Sequence, residues 1–107
     1  MLNNEIKNSI VEALLPTEPD KIILFGSYGY GIPDKGSDID LLIIKDIPEQ
    51  EVRNQRLKIK RILWEKFNSS GLFFDVLVDS EERVFERIRM GDLFYEEIYN
   101  KGEVIYA

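Results

Sequence analysis

The segment from Gly26 to Asp40 combines residue types that phosphate and metal chemistry require. Gly26 and Ser27 follow an apolar run, and ten residues separate Ser27 from Asp38, which opens an Asp-Ile-Asp motif. Gly26 has no Cβ, so its backbone can approach a ligand closely and adopt a positive φ. Ser27 offers a hydroxyl and a backbone N–H, and a helical turn starting there would point free N–H groups at an anion. The segment could therefore hold a triphosphate at one end and metal ions at the other.

The two carboxylates of this motif, Asp38 and Asp40, are candidate ligands of a divalent cation. Side chains alternate between the faces of a strand, so Asp38 and Asp40 are expected on the same face. Like charges so close together are costly to bury unpaired, and Mg²⁺ commonly takes one or two carboxylates together with substrate phosphates. Two such ions could activate an attacking oxygen and stabilise a leaving one. The alternative is that Asp38 caps a turn and Asp40 faces water.

A third carboxylate is predicted from the apolar segment F-F-D-V-L-V, where Asp75 is an unusual residue. It could accept the proton of an attacking hydroxyl or share the second metal ion. The alternative is an edge-strand residue that faces solvent. Asp79 competes for this role, but its position beside Ser80 favours helix capping. Asp34 and Asp46 are interpreted as loop residues.

Short strands and helices must position these side chains. Helical spacing of apolar residues predicts a first helix that Asn3 or Asn4 caps and Pro16 ends. We predict strands over Lys21–Phe25, 38–44 and 73–78, a long helix over about 49–67, a helix through Met90 and a last helix that Asp92 caps. The sequence also allows one helical turn within residues 26–31 and a short strand at residues 104–106. The order α-β-β-α-β-α-α indicates the α/β or α+β class, a small mixed sheet flanked by helices.

The length and composition of the chain exclude several classes of function. A chain of 107 residues is interpreted as one domain, residues 1–107. It contains neither cysteine nor histidine, which excludes thiolate chemistry and the commonest general base and zinc ligand. The net charge of −6 argues against general nucleic-acid binding, which needs clustered Lys and Arg. Any catalysis must use carboxylates, hydroxyls, Lys, Arg or a bound metal.

One segment of this acidic chain is basic. Positions 53–66 carry six Lys and Arg residues, which we interpret as the solvated face of a helix or as a docking face for an acidic partner or a nucleotide. The apolar runs are too short for a membrane span, and no signal peptide is visible. The expected location is the cytoplasm.

The pattern Gly26-Ser27, ten residues, Asp38-Ile39-Asp40 and then Asp75 resembles the nucleotidyltransferase superfamily of the DNA polymerase β type. The short chain is similar to the minimal nucleotidyltransferase (MNT) branch, and the resemblance covers nearly the whole chain. It implies that Gly26 and Ser27 contact the triphosphate and that Asp38, Asp40 and Asp75 hold two Mg²⁺ ions. We also assign Ser37, directly before the acidic motif, to the nucleotide-binding set.

The resemblance also implies a reaction and a partner. A hydroxyl would attack the α-phosphate of ATP or another NTP and release pyrophosphate. Many MNT proteins pair with a HEPN toxin, which implies an antitoxin that adenylylates a toxin tyrosine in a type VII-like system. Many relatives carry an Arg where this chain has Tyr30. Lys35 or a partner's Arg are the candidate replacements, and Tyr28 and Tyr30 either stack on a base or pack internally.

Two other functions compete with this expectation. The chain could be a binding module of the same fold that neutralises a partner by occlusion with little catalysis. A transferase for small molecules, such as antibiotics, would be expected to carry an added substrate-binding domain.

Overall fold

A four-stranded mixed sheet organises the chain in the computed structural model, which describes residues 2–31, 36 and 38–107. The strands are β1 (Lys21–Phe25), β2 (Ile39–Ile44), β3 (Phe74–Asp79) and β4 (Glu103–Tyr106). The helices are α1 (Asn4–Leu14), the short α2 (Gly26–Gly29), α3 (Val52–Phe67), α4 (Glu81–Arg89) and α5 (Leu93–Lys101). The predicted class and element order are confirmed, including the two optional elements α2 and β4.

The strands lie in the order β3-β2-β1-β4. β1 pairs antiparallel with both β2 and β4, whereas β2 and β3 run parallel and are connected through α3. A parallel pair needs such a crossover, and a helix is its usual form. β3 is therefore an edge strand, and β2, which carries the acidic motif, is central.

The central position of β2 follows from its apolar run. Ile39, Leu41 and Ile43 face one hydrophobic core, and Leu42 and Ile44 face a second core on the other side of the sheet. Period-two alternation with apolar residues on both faces is expected of a strand that is covered on both sides. The first core includes residues of α1 and α3, and the second includes residues of α4 and α5.

Helix caps define where the helices begin. The side chains of Asn3, Ser80 and Asp92 accept backbone N–H groups at the starts of α1, α4 and α5. Each of these caps was among those predicted from sequence, and each satisfies a donor that the helix leaves unpaired. Differences at the element ends are small: α3 starts at Val52 after a 3₁₀ turn at Glu49–Glu51, and β3 extends to Asp79.

None of the described helices has the length and apolar character that crossing a bilayer requires.

Candidate functional site

Gly26 lies against the carboxylate of Asp40. β1 ends at Phe25, which pairs with Asp40 of β2, and Gly26 then turns the chain with φ of 65°. A Cβ at position 26 would lie 2.9 Å from Asp40 Cγ and closer still to its Oδ2. Glycine is therefore required here both by the backbone conformation and by the proximity of the Asp40 side chain.

Asp40 and Asp75 are neighbours across the parallel strands β2 and β3. Their Cα atoms are register partners, and residues that pair in this way point to the same face of the sheet about 4.8 Å apart. Asp40 is half-buried and Asp75 is exposed. The tertiary structure thus brings together two carboxylates that are far apart in the chain.

Asp38 lies directly before β2, whereas the sequence predicted that the strand would begin at Asp38 itself. It precedes the first residue of β2 and is exposed, so the alternation of a strand does not orient it. Asp40 and Asp75 line one cleft, whereas Asp38 lines a second. The predicted start of β2 at Asp38 is therefore one residue too early, and Asp38 remains close enough for its negative charge to raise the pKa of Asp40.

The charge state of Asp40 reflects this crowding. Burial raises the pKa of Asp40, and the negative charges of Asp75 and Asp38 raise it further. Within the described residues, none of the three ion pairs involves Asp38, Asp40 or Asp75. A cation between these groups would favour the ionised form of Asp40.

No ready-made cluster of three ligand side chains is present in the described part of the chain. The in-register pair of Asp40 and Asp75 supplies two carboxylates, the number that Mg²⁺ commonly takes from a protein when substrate phosphates complete its coordination. Hard oxygen donors of this kind suit Mg²⁺ and not softer metals.

A cleft of about 580 Å³ opens at this pair, which we call the acidic cleft. Two basic residues of α3, Arg56 and Lys60, line it together with Asp40 and Asp75. The remaining lining residues are mostly apolar or aromatic: Phe25, Gly26, Tyr30, Leu57, Val76, Leu77, Phe94 and Glu97.

Arg56 and Lys60 belong to the basic stretch whose role the sequence left undecided. They are four residues apart on α3 and therefore lie on one side of that helix. Sequence gave no sign that this side meets the carboxylates, because only the packing of α3 against the sheet orients it. Cationic side chains here can neutralise phosphate charge, the task expected of the Arg that Tyr30 replaces.

Three aromatic side chains, Phe25, Tyr30 and Phe94, line the acidic cleft. Phe25 and Phe94 meet edge to face with ring centroids 5.8 Å apart. Tyr30 packs against the second core, and burial, followed by the charge of Glu97, raises the pKa of Tyr30. Tyr28 packs against the first core. Internal packing therefore accounts for both tyrosines, although Tyr30 also contacts the cleft.

Other candidate residues lie apart from this cleft or outside the described part of the chain. Ser27 follows Gly26 in α2 and is half-buried. Ser37 lies outside the described residues, as do Asp34 and Lys35.

Asp79, the competitor of Asp75, has a structural task. It is only 7% exposed, and its Oδ1 accepts hydrogen bonds from the backbone N–H of Ser80 at 2.9 Å and from Arg83 Nε at 2.5 Å. Of the two cap candidates that the sequence offered, Ser80 caps α4, whereas Asp79 holds Arg83 and the backbone of Ser80.

Comparisons with known proteins agree on one family. The family model described as a nucleotidyltransferase domain matches residues 4–105. Two proteins of Methanocaldococcus jannaschii that bear the provisional name protein adenylyltransferase are similar to this chain. One is 35% identical over 86 residues, covering 80% of this chain and 77% of the relative. The other is 28% identical over 93 residues, covering 86% and 84%.

Solved structures share the fold. A chain of a toxin–antitoxin crystal structure with AMP-PNP superposes with a TM-score of 0.62 at 19% identity, covering 94% of this chain and 73% of that one. A second toxin–antitoxin structure, MntA–HpeT with two Asp-to-Glu substitutions two positions apart, gives a TM-score of 0.62 at 18% identity and covers 99% and 74%. At this level of identity the likeness establishes the fold.

Proposed function

Because the chain belongs to the nucleotidyltransferase domain family, we propose that it transfers AMP from ATP to a hydroxyl group of a partner protein. The observation that carries this proposal is the register pair of Asp40 and Asp75 in a cleft that Arg56 and Lys60 also line. Carboxylates for a metal and cations for phosphates thus meet in one place.

The choice of adenylyl transfer to a protein rests on the relatives. Two of them are named as protein adenylyltransferases, and a structural neighbour was crystallised with AMP-PNP. Toxin–antitoxin assemblies among the neighbours support a protein partner. We propose a tyrosine of a HEPN toxin as the acceptor and the role of antitoxin for this chain, acting as a single domain in the cytoplasm, where ATP is available.

We propose that Asp40 and Asp75, joined by Asp38, hold Mg²⁺, with two ions when the nucleotide is bound. The raised pKa of Asp40 supports a cation at this place, since a positive charge would relieve the repulsion from Asp75 and Asp38. Bound Mg²⁺ would supply charge neutralisation at the phosphates and activation of the attacking oxygen.

The protein side chains then have distinct tasks. Arg56 and Lys60 bind the phosphate oxygens and orient the nucleotide, while Gly26 and Ser27 contact it from the end of β1. Ser37 belongs to the same nucleotide-binding set. The acceptor oxygen attacks the α-phosphorus, and its proton passes to the carboxylate of Asp75. The new P–O bond forms as the bond between the α-phosphorus and the bridging oxygen breaks, and pyrophosphate leaves with that oxygen.

Label transfer from ATP tests this function directly. The wild-type chain, incubated with α-labelled ATP, Mg²⁺ and the protein encoded by the neighbouring gene, should label that protein on a tyrosine. Asp40→Asn and Asp75→Asn should each reduce the rate by at least about 10²-fold. Asp46→Asn is the matched control, because Asp46 is an exposed loop residue and loses the same charge. Equal rates in all three variants would contradict the proposal.

A binding module that neutralises its partner by occlusion is the second candidate. The basic residues of α3, which form no ion pair within the described part of the chain, favour it because they could hold an acidic partner without chemistry. Combined Asp38→Ala and Asp40→Ala substitution separates the two functions. Neutralisation of the toxin in cells should be lost if transfer is required and should persist if occlusion suffices.

A further inference from the structure

A second cleft adjoins the acidic cleft along α3. It has a volume of about 670 Å³, and we call it the aromatic groove. The lining residues that matter here are Asp38, Lys60, Arg61, Trp64, Phe73 and Phe74. Lys60 lines both clefts, and Phe74 directly precedes Asp75 in β3. The groove therefore reaches the carboxylates from the Asp38 side, and the acidic cleft reaches them through Asp40 and Asp75.

The groove presents large aromatic surfaces to solvent. Trp64 is 58% exposed and Phe73 is 56% exposed, and their ring centroids are 6.5 Å apart. Leu57, one helical turn before Lys60, is 51% exposed and extends the apolar stripe toward the acidic cleft. Residues at 57, 60, 61 and 64 lie on one side of a helix. Exposed aromatic residues with Arg beside them are typical of the core of a protein interface.

The charge of the groove is opposite to that of the whole chain. α3 carries six Lys and Arg residues and a single acidic residue, Glu65, in a protein with a net charge of −6. Across residues 2–31, 36 and 38–107, none of these six forms an ion pair with the protein's own carboxylates. Lys60 and Arg61 are the two of these six that line the groove, where, among the described residues, they outnumber the single carboxylate, Asp38. The groove is thus complementary to an acidic surface, and the acidic remainder of the chain disfavours nucleic acid.

We propose that the aromatic groove is the docking site of the acceptor protein, which presents an acidic segment with aromatic residues beside its target hydroxyl. This inference rests on the proposed transferase function and adds where the acceptor binds. In-line displacement requires the attacking and leaving oxygens on opposite sides of the α-phosphorus. Two clefts that meet at the carboxylates are compatible with this requirement, with the nucleotide in the acidic cleft and the acceptor in the groove.

Trp64 allows docking to be measured without metal or ATP. It is the single tryptophan of the chain, so its emission reports on the groove alone. The probe is a short synthetic peptide rich in Asp and Glu with a central Tyr. We expect a blue shift of Trp64 emission that saturates with this peptide, weakens as salt is added, and is absent with a peptide in which Lys replaces each acid.

Two variants define the site of binding. Arg61→Glu should weaken peptide binding about tenfold or more by reversing a charge within the groove. Lys58→Glu is the matched control, because Lys58 is on the same helix with the same charge change and lines neither cleft. No response to the acidic peptide, an equal response to the Lys peptide, or equal losses in both variants would overturn the proposal. A response to single-stranded oligonucleotide in place of the acidic peptide would also overturn it.

Kinetics with the protein acceptor distinguish this inference from the proposed function. Arg61→Glu should raise KM for the acceptor protein at least about fivefold and leave KM for ATP unchanged. Transfer with an unaltered acceptor KM would refute docking in the groove while leaving the transferase function in place. Absence of transfer by the wild-type chain would refute the function, and the peptide titration would still decide whether the groove binds acidic protein segments.

Discussion

Substitution of Gly26 by alanine should damage the site more than the fold. Gly26 has φ of 65°, and holding an alanine in this conformation costs about 1–2 kcal/mol. An added Cβ would also lie 2.9 Å from Asp40 Cγ and nearer still to Oδ2, so the Asp40 side chain must move by roughly 1 Å. A displacement of that size in a reacting group can reduce the rate about 10²-fold.

Gly91→Ala is the matched control for the backbone. Gly91 has φ of 95°, and nothing lies within 4 Å of the Cβ that would be added. Gly91→Ala should lose about 1–2 kcal/mol in the free energy of unfolding from its backbone conformation alone, and Gly26→Ala should lose at least about 1 kcal/mol more because of the collision with Asp40. Each kcal/mol lowers Tm by about 4–8 °C in a domain of this size. Only Gly26→Ala should lose transferase activity by about 10²-fold, measured as label transfer from ATP under saturating Mg²⁺.

A double-mutant cycle tests the physical cause. If the added methyl group collides with the Asp40 carboxylate, Asp40→Ala should remove the collision and recover at least about 1 kcal/mol of the stability that Gly26→Ala loses. Urea unfolding of the four proteins gives this coupling energy. Additive losses, or equal activities of Gly26→Ala and Gly91→Ala, would show that Gly26 does not position Asp40.

Three further outcomes are expected. The raised pKa of Asp40 means that the native state holds this proton more tightly than the unfolded state, so metal-free protein loses stability as pH rises through that pKa. Asp40→Asn should remove this pH-dependent loss of stability and also the increase in Tm that Mg²⁺ gives to the wild type. If the Tm of both proteins changed equally with pH and with Mg²⁺, the prediction would be wrong. Arg83→Ala should cost about 2–3 kcal/mol in urea unfolding, because it leaves the Asp79 carboxylate buried without its cation. Burial and the carboxylate of Glu81 raise the pKa of Tyr99 to about 12. Ultraviolet titration should therefore show a tyrosine step near pH 12, and Tyr99→Phe should remove that step at a cost of about 1 kcal/mol in the free energy of unfolding.

Local sequence determined the elements and their ends. The apolar run of β2 predicted a central strand because residues on both faces needed cover, and the two cores provide it. Asn3, Ser80 and Asp92 predicted helix starts because a short polar side chain bonds N–H groups only two or three residues away. Gly26, which has no Cβ, was expected to be able to adopt a positive φ, and the structure has one there.

Packing between distant segments decided the rest of the site. Asp75 lies beside Asp40 because of the parallel register of β3, which depends on how both strands fill two cores at once. The rotation of α3, which Ile59, Leu63 and Phe67 anchor in the first core, turns Arg56 and Lys60 toward the carboxylates. Residue types and spacing along the chain thus predicted which chemistry is available, whereas only tertiary contacts determine which charged groups meet. The physical reason is that caps and turns depend on neighbours within a few residues, while strand register and helix rotation depend on side-chain packing across the whole domain.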